Sequence, residues 1–542
     1  MNLARIVAFL LSVLCALGVS AAGGPALVVV LVIDGLPQEQ LVKYRDLYGP
    51  GGFRRLLEDG AWFGNAHHMH AATLTAPGHA TMLTGSYPYR NGIIANEWID
   101  RRTFEPTYNT GDAAHSYLGH ASKKLDGTSP ARLRASTVGD EMKYSNNGQS
   151  RVVAVSGKDR GAILLAGKRG TAYMYMAESG MFASSTYYMN EHPAWHAAYY
   201  AKRPQDRWMG EAWTLLLPEA AYARSQPEGQ AWQRPYVGGA RGFPFPLPRE
   251  PKTYYQQLIR TPFGDEATLE FARAAIEGEN LGRNPAGVPD LLGISLSTHD
   301  YVNHGFGPES RVSQDHLLRV DRALAGFFDY VDERIGLDKV LIALTADHGF
   351  MNAPEFSVAG GLAGARLNGP KLMGDLNTAL QARFGVKGNL APRFGFPAIP
   401  LDGELIAKNL LNRAEVEAHA ARVLLDMPGI AAVYTRTQLE SGVLPATPVS
   451  AQVLRSWNRE VSGDLYIVQQ PFALFGGLVA THGSPYSYDT NVPLVFYGRR
   501  WIKPGKYPQA AAVADLAPTL SYLLEIRPPS ASEGRVLEEI LK

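Results

Sequence analysis

The sequence has a single cysteine, Cys15, among 542 residues. That excludes a disulfide framework, a four-cysteine zinc site and an iron–sulfur cluster, and it leaves histidine and carboxylate as the available metal ligands. Charge bias is also missing, since 52 Lys+Arg stand against 51 Asp+Glu. With no global field to draw nucleic acid or an anionic membrane, any anion the protein handles must be met by a local patch, and nucleic-acid binding is not expected as a function. Beyond the first 20 residues no apolar run reaches the roughly 20 residues that span hydrocarbon. Internal repeats and low-complexity tracts are absent, and glycine and proline, at 55 and 36 residues, stay below the level that signals disorder. What is present is 46% hydrophobic and 10% aromatic content, enough for a large core in a chain long enough for about two to four domain-sized units.

The start of the chain reads as a targeting segment. Met1 to Arg5 carry one basic residue, Ile6 to Val19 form a short apolar run, and Val19-Ser20-Ala21 is a small-residue cleavage site. Residues 1–21 are therefore expected to be a signal peptide, with residues 22–542 a periplasmic or secreted protein without a stable membrane anchor. Ser12-Val13-Leu14 before Cys15 do not make a lipoprotein box. Cys15 would leave with the signal.

Short β-branched runs recur at Ala26 to Ile33, Val152 to Val155, Leu291 to Leu296, Val340 to Leu344 and Val492 to Tyr497. Helical patterns such as His316 to Ile335 and Ala511 to Glu525 lie between and after them. This alternation predicts an α/β fold, a mostly parallel central sheet flanked by helices, whose ligands sit beyond the carboxyl ends of the strands. Two stretches break the alternation and read as cap insertions. Residues 166–289 are rich in Tyr, Trp and Pro, with the aromatics expected to pack cap against core. Residues 354–473 hold a small α/β unit in which Asn412 caps a helix with Glu415 three residues on.

The strand ends carry the chemistry. The first run ends in Asp34-Gly35, the third is followed by His299-Asp300-Tyr301-Val302-Asn303-His304, and the fourth ends in Asp347-His348-Gly349. His482-Gly483 stands late in the chain. Singly each is an ordinary turn or a satisfied polar residue. Together Asp34, Asp300, His304, Asp347, His348 and His482 supply three carboxylates and three imidazoles, donors suited to zinc and too many for one tetrahedral ion. Thr73 to Met82 reads as a loop entering a helix, with Thr75 at the cap and Pro77 in the first turn. A hydroxyl there faces free backbone N–H groups and the positive end of the helix dipole.

This ordered set, Asp34, Thr75-Ala76-Pro77-Gly78-His79, Asp300 with His304, Asp347-His348 and His482-Gly483, resembles the alkaline phosphatase superfamily. The chain is most similar to the secreted bacterial alkaline phosphatases with a threonine nucleophile, relatives of the nucleotide pyrophosphatase/phosphodiesterases, over nearly its whole length. The resemblance implies two zinc ions, one held by Asp300, His304 and His482 and the other by Asp34, Asp347, His348 and Thr75. It implies attack by Thr75 on small-molecule phosphate esters through a phosphothreonine intermediate.

Ser156-Gly157-Lys158-Asp159-Arg160-Gly161-Ala162 matches the segment that directs a Lys and an Arg at phosphate in the threonine-type monoesterases, and Asn96 matches their amide donor. Summed with two zinc ions, three carboxylates and an alkoxide, Lys158 and Arg160 bring the site to about +2, suited to a dianionic monoester, whereas without them the sum is about 0. Monoester hydrolysis with weaker diesterase activity is therefore the expected function. A nucleotide pyrophosphatase/phosphodiesterase is the enzymatic alternative, and an exported zinc- or phosphate-binding protein the non-enzymatic one. A sulfatase needs a Cys or Ser at the nucleophile position, and metal-dependent phosphoglycerate mutases use a serine. His67, His68 and His70 are expected as surface or cap contacts, His79 packing behind the nucleophile helix, and His299 behind the metal ligands. The oligomeric state is left open, a monomer being compatible.

Overall fold

The computed structural model describes residues 23–542, so the expected signal segment lies outside the described residues. Its centre is a nine-stranded sheet. In chain order the strands are β1 (Leu27–Ile33), β2 (Ala61–Phe63), β3 (Val152–Ser156), β4 (Thr171–Met176), β5 (Met181–Ala183), β6 (Asp290–Leu296), β7 (Val340–Thr345), β8 (Leu494–Tyr497) and β9 (Gly505–Tyr507), arranged β9-β2-β8-β7-β1-β6-β3-β4-β5. β1 is the middle strand and has no exposed surface. Its unbroken apolar run is what a strand covered on both faces requires. It pairs in parallel with β6 (Leu27 opposite Asp290) and β7 (Leu27 opposite Val340), and β6 pairs in parallel with β3. The four adjacent strands β7, β1, β6 and β3 thus end at one edge.

Helices cover both faces. Those that matter for the site are α1 (Thr75–Thr84), α2 (Asp159–Ala166), α3 (Pro262–Glu279), α4 (Thr298–Phe306) and α5 (Arg311–Arg334). Among the described residues no helix is long and apolar enough to cross a membrane.

Several expectations change. The run at 492–497 does form a strand, but β8 lies antiparallel to β7, as β2 does to β8. Periodicity carries no strand direction, so this was invisible in the sequence. The expected terminal helix is shorter: Ala511–Ala512 pair as a small strand, Val513–Asp515 make a 3₁₀ turn, and only Leu516–Leu523 are α-helical. The stretch 166–289 is an insertion only in its middle, because β4 and β5 at its start belong to the central sheet and α3 near its end packs against β3 and β6. Its aromatics do pack cap to core: Phe271 of α3 is ringed by Tyr173, Phe182, Trp195, Tyr199 and Tyr200 with centroids 5.0–6.0 Å away. The stretch 354–473 contains a three-stranded sheet, Ala398–Ile399, Leu465–Gln469 and Ile430–Thr435, under the helices Gly369–Phe384 and Arg413–Leu425, with a separate apolar core. Asn412 caps the second helix through Glu415 N–H at 3.3 Å.

Candidate active site

Asp34 follows β1, Lys158 and Arg160 follow β3, Asp300 follows β6, and Asp347 and His348 follow β7, each within four residues of its strand end. His482 arrives on the loop before β8. The six candidate ligands fall into two groups, Asp34, Asp347, His348 and Asp300, His304, His482, in each of which the donor atoms lie within 4.8 Å of one another. The residues are drawn from positions 34 to 482 and converge because four neighbouring parallel strands end together.

Two glycines make the convergence possible. Gly35 has φ +72°, and a Cβ there would stand 3.3 Å from Asp300 Cα. At Gly78 of α1 a Cβ would fall 2.1 Å from the Asp347 carbonyl oxygen. Helix α1 therefore lies directly on the backbone that carries Asp347.

The histidines are oriented by backbone. His304 Nδ1 donates to Ala480 O at 2.9 Å, His348 Nδ1 to Gly349 O at 2.9 Å and His482 Nδ1 to Thr73 O at 2.8 Å. A carbonyl can only accept, so each Nδ1 carries a proton and each ring turns Nε2, the atom whose lone pair can bind a metal, inward. Those lone pairs face carboxylate oxygens: His304 and His482 Nε2 stand 3.3 and 3.4 Å from Asp300 Oδ1, and His348 Nε2 stands 3.5 Å from both Asp34 Oδ1 and Asp347 Oδ2. Acceptor opposite acceptor is repulsive unless a cation lies between them. Asp34 Oδ1, Asp300 Oδ1, Asp347 Oδ2 and His348 Nε2 are buried with no hydrogen-bond partner. Buried polar atoms left in this state cost free energy, and a metal ion at each group removes that cost. Donor type fits zinc, and the backbone-held Nδ1–H groups are the usual support of a histidine ligand.

Charge tells the same story. Burial pushes the Asp34 carboxyl well above the usual range, reinforced by Asp347 and opposed by Lys158. Burial acts likewise on Asp347 and Asp300, but His348 and His79 beside the first, and His304 and Lys158 beside the second, outweigh it and hold both carboxyls low. Burial pushes the His348 and His482 imidazoles below their ordinary value. The Lys158 ammonium sits between the groups, 2.6 Å from Asp300 Oδ2 and 2.8 Å from Asp34 Oδ2. Burial alone would lower its pKa, and the two carboxylates reverse that. It occupies a place built for positive charge.

Thr75 is the first residue of α1, with Leu74 as cap, one position inside the expected cap. It is buried between the two groups' supports: His482 is tied to Thr73, and His79 donates from one ring nitrogen toward Thr75 O at 2.8 Å while standing 3.3 Å from Asp347 Oδ2. Asn96 Oδ1 accepts from Ala76 N–H at 2.8 Å, which leaves its amide N–H groups free beside Thr75. Arg160 donates to the Tyr108 hydroxyl at 3.1 Å, and Tyr108 in turn donates to Asp159 Oδ1 at 2.6 Å.

The structure also supplies residues that the sequence reading left unassigned. Tyr108 and Asp159 brace Arg160. Behind Asp300, His299 Nε2 meets Gln40 Oε1 at 2.7 Å and His299 Nδ1 meets His316 Nδ1 at 3.0 Å, while His316 Nε2 meets Asp265 Oδ2 at 3.0 Å. His299 thus points away from the metal groups, as expected. No motif marks Gln40, Asp265 or His316. His68 and His70 are buried, not on the surface; His68 Nε2 donates to Ala346 O at 2.9 Å, bracing the Asp347 turn.

A mostly parallel sheet presenting two such groups around a helix-borne threonine is the architecture of the alkaline phosphatase superfamily, and the chain belongs to its type I phosphodiesterase / nucleotide pyrophosphatase family, whose model matches residues 28–367. It is 34% identical to a protein of Myroides odoratus named calcium-transporting ATPase, over 96% of this chain and 95% of that one. It is also 34% identical to alkaline phosphatase PhoV of Synechococcus elongatus, over 96% and 93%. The crystal structure of wild-type alkaline phosphatase PafA superimposes with a TM-score of 0.90 at 31% identity, covering 96% of this chain and all of that one.

Proposed function

We propose that the protein is an exported, two-zinc alkaline phosphatase that hydrolyses phosphate monoesters through a phosphothreonine intermediate, with weaker activity on diesters. The observation that carries this reading is the set of three inward-turned Nε2 atoms aimed at unpartnered carboxylate oxygens around Thr75. Asp34, Asp347, His348 and Thr75 would hold one ion, and Asp300, His304 and His482 the other. Bound zinc supplies concentrated positive charge that favours an ionised hydroxyl and an oxyanion leaving group.

Thr75 Oγ1 forms the new bond to phosphorus as the ester's alcohol oxygen leaves; water then cleaves the phosphothreonine and releases phosphate. Two inversions give net retention at phosphorus. The Asn96 amide, with its oxygen held by Ala76 N–H, directs its donors at a non-bridging oxygen. Arg160, fixed by Tyr108, presents a planar fork to the phosphoryl group. With the carboxylates held by metal, the Lys158 ammonium would be free of Asp34 and Asp300 and able to reach the same phosphoryl oxygens. These two cations favour a dianion over a monoanion, which separates this reading from the diesterase activity in the family's name.

The test is metal analysis of purified protein combined with kcat/KM on p-nitrophenyl phosphate and bis-p-nitrophenyl phosphate. Two zinc ions per chain and a monoester preference are expected. A diester preference would favour the pyrophosphatase/phosphodiesterase alternative, and zinc without turnover a binding protein.

A further inference from the structure

Outside the two groups, one cation at the edge of the site has no assigned role. Arg260 is exposed, makes no ion pair among the described residues, and holds its guanidinium 5.7 Å from the centre of the Tyr301 ring. The Lys158 ammonium lies 5.1 Å from the centre of the same ring. Tyr301 follows Asp300 directly, so this ring joins the outer group to the surface.

Arg260 is not a loose surface side chain by its backbone. Its turn is pinned to the start of α4, where Thr298 Oγ1 donates to Ile259 O at 3.0 Å and to Thr261 O at 3.2 Å. Ile259 also fills the space over Gly157, where a Cβ would come 2.5 Å from Ile259 Cδ1. Arg260 N–H closes the turn onto Gln257 O at 3.0 Å. The turn that carries Arg260 is therefore fixed against both the segment bearing Lys158 and the helix bearing Asp300. Beside it, Tyr236 packs on Gly305 of α4, with a ring carbon 2.9 Å from where a Cβ would stand, and its hydroxyl is buried without a partner.

We propose that Arg260, with Tyr301 and the Tyr236 hydroxyl, forms a leaving-group subsite that selects phosphate monoesters whose leaving group carries a second anionic group, a carboxylate or a phosphate. The proposal rests on the phosphatase reading above, in which the leaving oxygen departs on the Asp300 side. An arginine fork matches either anion in two-point geometry, and a tyrosine hydroxyl adds a donor. An exposed cation over a half-buried ring contributes little to stability by itself, so a packing role for Arg260 predicts no effect on substrate choice.

Three substrates on one ring separate the outcomes: phenyl phosphate, 4-carboxyphenyl phosphate and 1,4-phenylene bisphosphate. The readout is the ratio of kcat/KM for each anionic substrate to that for phenyl phosphate, which does not depend on the fraction of active protein. In Arg260→Ala both ratios are expected to fall about tenfold, and in Arg260→Glu about a hundredfold, in line with loss and reversal of one charge-assisted contact. A fall with the bisphosphate alone assigns the subsite to phosphate, and a fall with the carboxylate alone to carboxylate. Ratios unchanged in both variants overturn the subsite while leaving the phosphatase reading intact. A wild-type protein that hydrolyses none of the three overturns both.

Discussion

The two candidate metal groups differ in composition and in depth. Asp34, Asp347 and His348 offer two carboxylates and one imidazole, all without exposed surface. Asp300, His304 and His482 offer one carboxylate and two imidazoles, and the His304 side chain is 19% exposed. The inner group stands just beyond the ends of β1 and β7 and rests on α1 through Gly78. The outer group is built from a helix turn and a late loop, and it opens toward Tyr301. Under the proposed mechanism, depth separates the group that would position Thr75 from the group that would meet the departing alcohol.

The largest expected effect comes from the inner side. Thr75→Ala should lower kcat/KM at least about a thousandfold while zinc content stays at wild-type level; unchanged hydrolysis would remove Thr75 as nucleophile. Next, Asp347→Asn should lose zinc and activity together, whereas His304→Gln should lose one ion and retain a measurable burst of phosphorylated protein. Indistinguishable metal contents in the two variants would erase the distinction between the groups. A smaller effect is expected at Lys158, the cation that touches both groups. Lys158→Ala should cost about a hundredfold on p-nitrophenyl phosphate and less than about tenfold on the diester; equal losses would contradict the charge matching. The smallest effect concerns the loop that brings His482. Asp489 accepts from Ser484 N–H at 2.9 Å, and burial, partly offset by that contact, pushes its carboxyl up to about 8. A raised carboxyl keeps its proton in the folded protein where the unfolded chain has lost it, so its contribution to stability is full below about pH 4 and declines as pH rises toward that folded value. The melting temperature of Asp489→Asn should therefore fall less between pH 5 and 8 than that of the wild-type protein, and identical slopes would show that Asp489 is ionised in the fold.

Much of this was readable in the sequence because α/β sheets place function at strand ends. β1, β3, β6 and β7 stand out as apolar runs, and a polar residue within four positions after each enters the site. The superfamily resemblance supplied the partition of ligands into two groups, which spacing alone leaves open, and the geometry groups the same residues. What stayed hidden depends on long-range contact. The carbonyls that orient His304 and His482 belong to Ala480 and Thr73, and nothing local announces them. Likewise the Gln40, His299, His316 and Asp265 chain joins four segments without a motif. Direction was equally out of reach: β8 reads like its neighbours and runs the other way. Insertion edges failed for a different reason, since the aromatic composition of 166–289 hid two core strands and the helix α3.

The tie from His482 to Thr73 has a further consequence for how the protein matures. Its two ends lie 409 residues apart, so a chain still emerging, or clipped before its last quarter, cannot complete the outer group. A structural metal site that needs distant segments takes its binding energy from folding and returns it to folding. Fragments of this protein should therefore be silent rather than weakly active, and zinc loading should report that the whole chain has assembled.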